Sequence, residues 1–336
     1  MKKTIKSKTA RILCGVRADA LFRNINKNKL LVIMYHGIFN KIESSSLPPF
    51  THIHADTLCW QLEFLKNHYQ VVSLAEVSRC LRERAPFPDR AVMISFDDGF
   101  KNNYDIAYPI LRQLGMPAAV FLTVDYVGTQ ELLWFDALFL ALRTVQRGDV
   151  PADSILPGLS SLCPADDLHG MYRIASARFK QMKSAERKKR ISMLKEALDL
   201  SGDPLAEQFK LLSWEQVREM RASGLVEFGV HTATHRILSG LAADEYRQEL
   251  VAPRLRLSRE LNCEITSFCY PNGTPDVDFY QEHEKYLELN GYVCAFSTHE
   301  VLNSRGCNRY RLGRLSVGSD MTSDRHVFRL RLAGLI

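Results

Sequence analysis

No stretch of this 336-residue chain is apolar for the roughly 18 residues that a membrane-spanning helix needs. The start, Met1-Lys-Lys-Thr-Ile-Lys, has the charge of a secretion signal, but Arg11, Arg17 and Asp19 break up any apolar core after it. The expectation is a cytoplasmic protein. The eight cysteines (Cys14, Cys59, Cys80, Cys163, Cys263, Cys269, Cys294 and Cys307) contain no Cys-x-x-Cys pair, and a chain of this size needs no disulfide staples. Reduced, mostly buried thiols follow. The body of the chain also lacks a basic excess. The net charge is +6, but residues 1–29 hold nine Lys/Arg and one acid, which leaves −2 for the rest. That argues against a nucleic-acid groove and against a nucleic-acid partner. No internal repeat stands out.

What is present is a globular composition, 46% hydrophobic, long enough for one large α/β domain with an insertion or for two domains. In the basic arm, residues 1–28, Ile5, Thr9, Ile12, Leu13, Val16, Ala20 and Leu21 recur at spacings of three and four. This is an amphipathic helix. It is expected to lie on an anionic membrane surface, to dock on the body as a short helix, or to be a partly disordered basic tail. After Lys29 come about seven apolar runs of strand length, alternating with helical stretches. Glu43 to Pro49 reads as a Ser/Pro-rich loop. Residues 128–212 break the rhythm with strongly apolar and then basic helical segments, an insertion whose Leu132–Val145 face must pack on the strand-bearing body, on a partner or on a lipid-like substrate, with the body as the expectation.

The chain is organised around Ala91-Val-Met-Ile-Ser-Phe-Asp-Asp-Gly99, an apolar run that ends in two carboxylates and a glycine. Chemistry gathers at such carboxyl ends of parallel strands. Neighbouring residues of a strand point to opposite sides, so Asp97 and Asp98 are expected to do different jobs, one binding a metal and one moving a proton. A second run, Val226 to Val230, leads into His231-Thr-Ala-Thr-His235. Two His at this spacing reach one ion if the segment turns helically, and two His with one carboxylate leave positions open for water and substrate. A third run ends in Tyr35-His36-Gly37, and a fourth in Tyr270-Pro-Asn-Gly273.

Ser95-Phe-Asp-Asp-Gly99, His231-Thr-Ala-Thr-His235 and Phe268-Cys-Tyr-Pro-Asn-Gly273, in this order, resemble the first three motifs of the polysaccharide deacetylases, the NodB-homology or carbohydrate esterase 4 family. Tyr35-His36-Gly37 resembles an N-terminal motif of the members that make surface polysaccharide, and Leu133-Trp-Phe-Asp136 resembles inserts in related enzymes. The resemblance implies a distorted (β/α)7 TIM-like barrel over residues 29–127 and 213–318, with the helical insertion at 128–212 and a C-terminal segment at 319–336. It implies that Asp98, His231 and His235 bind Zn²⁺ or another divalent ion such as Co²⁺, Ni²⁺ or Mn²⁺. Asp97 is then the general base for the attacking water, and a main-chain N–H near Tyr270 receives the oxyanion. The implied activity is removal of N-acetyl groups from an acetamido sugar in a polysaccharide or lipid-linked glycan. Deformylation, O-acetyl ester cleavage and a non-catalytic carbohydrate-binding role are the alternatives. The chain departs from the common pattern twice. It has no C-terminal Leu-x-His, so His36 is the expected acid, with His299 second. Its third motif lacks the Arg that holds the base, and Arg314 or Arg311 is the expected substitute.

Overall fold

A computed structural model describes residues 2–40, 46–49, 51–200, 202–318 and 321–336. Residues 43–45 of the loop expected from Glu43 lie outside them. Two helices, α1 (Lys2–Gly15) and α2 (Ala18–Ile25), open the chain. Strand β1 (Leu31–Tyr35) follows, and then β2 (Gly37–Phe39) and β3 (His52–His54), which pair with each other. Next come α3 (Ala55–His68), β4 (Gln70–Val71), α4 (Leu74–Glu83) and β5 (Ala91–Phe96). A π-turn leads into α5 (Tyr108–Leu114), with Pro109 in its first turn where no N–H is needed, and then β6 (Ala118–Leu122). Helices α6 (Trp134–Gln146), α7 (Ala152–Ile155), α8 (Leu168–Gln181) and α9 (Ser184–Ala197) form the insertion. The chain ends with α10 (Trp214–Ala222), β7 (Val226–Val230), α11 (Ala252–Leu261), β8 (Ser267–Cys269), α12 (Gln281–Leu289), β9 (Cys294–Phe296), β10 (Leu315–Ser316) and α13 (Arg325–Leu332). Among the described residues no helix is long and apolar enough to cross a membrane.

The strands form one parallel sheet in the order β10-β1-β5-β6-β7-β8-β9, with β4 added to β5. The stretch around Arg314 draws its two ends together. Leu312 exchanges main-chain bonds with Ala295 (3.0 Å) and Ser297 (2.8 Å) beside β9, and Leu315 pairs with Ile33 of β1. The sheet therefore curls into the expected seven-membered barrel. Its strands alternate between two cores. Ile33, Tyr35, Ile94 and Phe96 face outward with Leu58, Leu62 and Leu65 of α3. Val32, Met93, Phe121, Cys269, Phe296 and Leu312 form the inner cluster. Helix α4 adds Leu74, Val77 and Cys80 to the inner cluster and reaches the start of β7, where Ala75 N–H meets Glu227 at 3.1 Å.

Two expectations are corrected. Helix α6 does not pack chiefly on the barrel. Its apolar residues, from Ala137 to Val145, join Ile155, Met171, Phe179 and Ile191 in a core of the insertion's own, which Phe39, Leu47 and Phe100 extend from the barrel side. The basic arm is two helices, broken where Arg17 turns left-handed (φ 61°). Its docking face is Ala10 and Cys14 against Val327 and Leu330 of α13, with buried Asp19 held by Arg329 at 2.8 and 2.9 Å. Ile12, Val16 and Leu21, placed on one apolar stripe by the spacing rule, stay exposed, as does Ile25.

Candidate metal and catalytic site

The adjacent aspartates diverge, but not by strand alternation. Strand β5 ends at Phe96, and Asp98 takes a left-handed backbone (φ 70°) before Gly99 (φ 81°). The positive φ of Gly99 favours glycine whatever the space, and a Cβ there would also press on Leu122 Cδ2 at 2.5 Å. The same conformation recurs at Thr232 (φ 63°), His235 (φ 59°) and Asn272 (φ 59°). The His pair is therefore brought together by a tight non-helical turn and not by the helical turn expected. Left-handed backbone at a β-branched threonine is strained, and such strain persists where the surroundings impose it.

This turn aims both His side chains at one oxygen. Asp98 Oδ1 lies 3.5 Å from His231 Nε2 and 3.2 Å from His235 Nε2, and it is buried without a hydrogen-bond partner. His231 Nδ1 lies 2.8 Å from the Cys269 carbonyl. Donation there leaves the Nε2 lone pair facing Asp98. Burial, partly opposed by the Asp97 charge, lowers the His231 pKa to about 4, so the imidazole is neutral at pH 7. Two imidazoles and an orphaned carboxylate oxygen form a donor set that fits a divalent cation of borderline character.

Asp97 sits in a different environment. Arg314, 1% exposed, holds it with two bonds, Nη1 to Oδ1 at 2.7 Å and Nη2 to Oδ2 at 2.8 Å. Burial alone would raise the Asp97 pKa, but the Arg314 charge and then that of His231 outweigh it and hold the carboxylate well below its usual range. Arg311 is not part of this clamp, since it pairs with Asp276 and Glu284. Cys269 was not anticipated here. Its thiol lies 3.4 Å from Asp97 Oδ2 and 2.9 Å from Arg314 Nη2. Burial pushes the thiol pKa well up, so it stays protonated. A second geometric cluster of Asp97, His231 and Cys269 is thus a poorer cation site than the one at Asp98.

His36, His231, His235, Asp97 and Asp98 line one cleft of about 320 Å³. His36 is partly exposed with Nδ1 unpartnered, and its carbonyl accepts from Asn103 at 2.7 Å. His299 is exposed and does not line the cleft. Tyr270 requires a correction. Its main-chain N–H is donated to Phe296 at 3.1 Å as part of the sheet. Its hydroxyl binds the Tyr310 carbonyl and its ring stacks 3.6 Å from Phe279. It cannot supply the oxyanion donor. Pro271 has no N–H, so the next candidate in the motif is Asn272, which lines the cleft. Asp136, quoted with its motif but given no role, is fully buried with neither oxygen bonded, and burial followed by the Asp98 charge raises its pKa well above the ordinary value.

Residues 84–291, more than half of the chain, match the polysaccharide deacetylase family. A Bacillus subtilis (strain 168) protein named as a polysaccharide deacetylase is 33% identical over 100 residues, 30% of this chain and 34% of that protein. The poly-beta-1,6-N-acetyl-D-glucosamine N-deacetylase of Escherichia coli (strain K12) is 24% identical over 61% of this chain and 21% of its own length. The chain thus matches about a third or less of the length of these relatives. Two solved structures share the fold over 90% of this chain and 97% of theirs. They are Streptococcus pyogenes deacetylase PplD in complex with acetate (18% identity, TM-score 0.59) and IcaB from Ammonifex degensii (19% identity, TM-score 0.58). With the aspartate pair, the histidine pair and the curled parallel barrel all present, the chain belongs to the polysaccharide deacetylase family.

Proposed function

We propose that this protein is a divalent-metal-dependent N-deacetylase that releases acetate from an acetamido sugar of a glycan. One observation carries the reading: a buried, unpartnered Asp98 oxygen faces His231 Nε2 and His235 Nε2, beside a second aspartate clamped by Arg314. The relatives named above as N-deacetylases of a poly-N-acetylglucosamine support the same class of substrate. Asp98, His231 and His235 hold the ion, with Zn²⁺ the best match to two imidazoles and one carboxylate. When bound, the ion supplies Lewis-acid polarisation of the acetyl carbonyl and acidifies water.

The chain's own groups do the rest. Asp97 accepts the proton of the attacking water. Arg314 keeps that carboxylate ionised and oriented, at the cost of basicity. The Asn272 main-chain N–H faces the developing oxyanion. His36 delivers a proton to the leaving sugar nitrogen, which must depart as an amine.

The test is acetate release from N-acetylhexosamine oligosaccharides, with formate release from N-formyl analogues as the competing assay. Asp97→Asn should keep stoichiometric zinc and lose at least a hundredfold in kcat. Loss of zinc in that variant would mean that the roles of the two aspartates are exchanged. A cytoplasmic, membrane-facing location belongs to the same proposal. It is supported by exposed Ile12, Val16, Leu21 and Ile25 alternating with exposed Lys8, Arg11 and Arg17 on the docked arm.

A further inference from the structure

The insertion supplies one wall of the cleft, and that wall is cationic. Arg173 and Lys180 of α8 and Arg187 of α9 line the same hollow as Asp97, Asp98, His231 and His235. Arg173, Ser176 and Lys180 stand at i, i+3 and i+7, one face of the helix, and all three line the cleft. Arg173 and Lys180 are exposed at the rim, while Arg187 is only 8% exposed. Among the described residues no carboxylate lies within ion-pair distance of any of the three.

For Arg187 this is unusual. A buried charge is normally paired. Elsewhere in this protein the rule holds: Arg314 meets Asp97, Arg143 meets Asp203 and Arg329 meets Asp19. Arg187 lies 5.0 Å over the Trp134 ring, and among the described residues its guanidinium makes one long hydrogen bond, to the Phe179 carbonyl at 3.4 Å. Burial and then the cation of Arg236 lower its pKa, yet an arginine stays protonated in proteins. Among the described residues the carboxylates lining the cleft are Asp97, which Arg314 holds, and Asp98, which faces the His pair, and neither is within ion-pair distance of the wall. The wall therefore keeps uncompensated positive charge. Arg187 sits over a ring face, and its guanidinium has further N–H groups to offer a planar or tetrahedral anion.

We infer that the wall formed by Arg173, Lys180 and Arg187 is a subsite for an anionic group of the substrate, a phosphate or a carboxylate carried near the acetamido sugar. This rests on the deacetylase reading above and deepens it. A growing poly-amino-sugar product, which gains an ammonium at each turnover, would be repelled by this wall. An acidic glycan or a phosphate-linked sugar would be drawn to it.

The experiment uses the full chain loaded with zinc and three substrates that share one N-acetylhexosamine. These are the neutral disaccharide, the same sugar as its anomeric phosphate ester, and the disaccharide with a hexuronic acid neighbour. At least a tenfold higher kcat/KM on one anionic substrate than on the neutral one is expected, and the preference should shrink as salt is raised. The phosphate and uronate arms separate the two sources of the charge. Arg187→Gln, and separately the exposed pair Arg173→Gln with Lys180→Gln, should lower kcat/KM on the anionic substrate at least ten times more than on the neutral one. The rim pair guards against a folding defect at Arg187. Equal kcat/KM on all three substrates, or equal losses in the variants, would overturn the subsite while leaving the deacetylase reading intact. A direct binding titration of the sugar phosphate against Asp97→Asn separates the converse case. Tight, Arg187-dependent binding without acetate release from any substrate would retain the subsite and remove the deacetylase reading. No preference for the phosphate over the neutral sugar in that titration would overturn the subsite.

Discussion

Arg314 and His52 show how two buried residues carry opposite costs. Arg314 makes two charge-assisted bonds to Asp97 and further contacts to the Ser297 carbonyl and the Cys269 thiol. Arg314→Ala would leave the Asp97 carboxylate buried with only the weak thiol bond. The expected loss is about 3–5 kcal/mol in chemical unfolding, with kcat falling as Asp97 loses its orientation. Arg314→Lys should recover little of either, because an ammonium cannot reproduce the paired fork. His52 is 1% exposed among Phe39, Phe100 and Phe209, and neither ring nitrogen has a partner. Burial, then the His36 charge, lowers its pKa to about 3. The unfolded chain titrates near the ordinary 6.5, so below that pH the unfolded state binds more protons. Stability is therefore present above about pH 6.5 and is lost as pH falls towards 3. By pH 4 the loss is on the order of 3 kcal/mol for this residue, and His231 adds to it over the window from 6.5 to about 4. His52→Phe should remove its share, as read from urea unfolding at pH 7 and pH 4.5.

At the scale of elements, the seam between β9 and β1 carries the site's positioning. Arg314 lies between Leu312, paired beside β9, and Leu315, paired to β1. A Cβ on the neighbouring Gly313 would stand 2.6 Å from the His299 carbonyl oxygen and 2.8 Å from that of Val301. These are backbone atoms that cannot rotate away. Gly313→Ala should cost about 1–3 kcal/mol. It should also reduce kcat more than KM by shifting the guanidinium from Asp97, which a crystal structure of the variant would show. Much of this level was legible in the sequence. The double-Asp run, the His-x-x-x-His segment and the Arg311–Val317 stretch are each at strand ends in the barrel. Less legible were the left-handed residues that aim the side chains. Asp98 and His235 are residue types that tolerate positive φ without requiring it, and Thr232 disfavours it, so residue type does not mark these positions. The motif places the oxyanion donor only near Tyr270, because it cannot show that the sheet already consumes that residue's own N–H.

The whole molecule is a barrel with an insertion over its catalytic end and a helical arm on its flank. The arm docks through Ala10, Cys14 and Asp19 and leaves Ile12, Val16, Leu21 and Ile25 outward. Co-sedimentation with vesicles rich in an anionic phospholipid should retain the protein, and the triple change Ile12→Asp, Val16→Asp, Leu21→Asp should weaken retention several-fold without altering the melting temperature. Wild-type protein that stays in the supernatant at low salt would sink the membrane-contact proposal. A single-helix reading could not have found this face. Periodicity reports which residues are apolar, whereas the break at Arg17 and the position of α13 decide which of them are covered.

By itself the sequence determined the alternation of strands and helices and put the aspartate pair and the histidine pair at strand ends, while it left Arg314 and Arg311, and His36 and His299, as alternatives. It could do so because apolar periodicity and strand-end polar residues are local properties. The tertiary structure alone decided that Asp98 faces two imidazoles while Asp97 faces Arg314, that Cys269 is a neutral thiol beside them, and that Arg187 is buried with no counter-charge among the described residues. Each of these depends on groups tens to hundreds of residues apart being brought within a few ångströms, where burial and neighbouring charge set protonation and pairing.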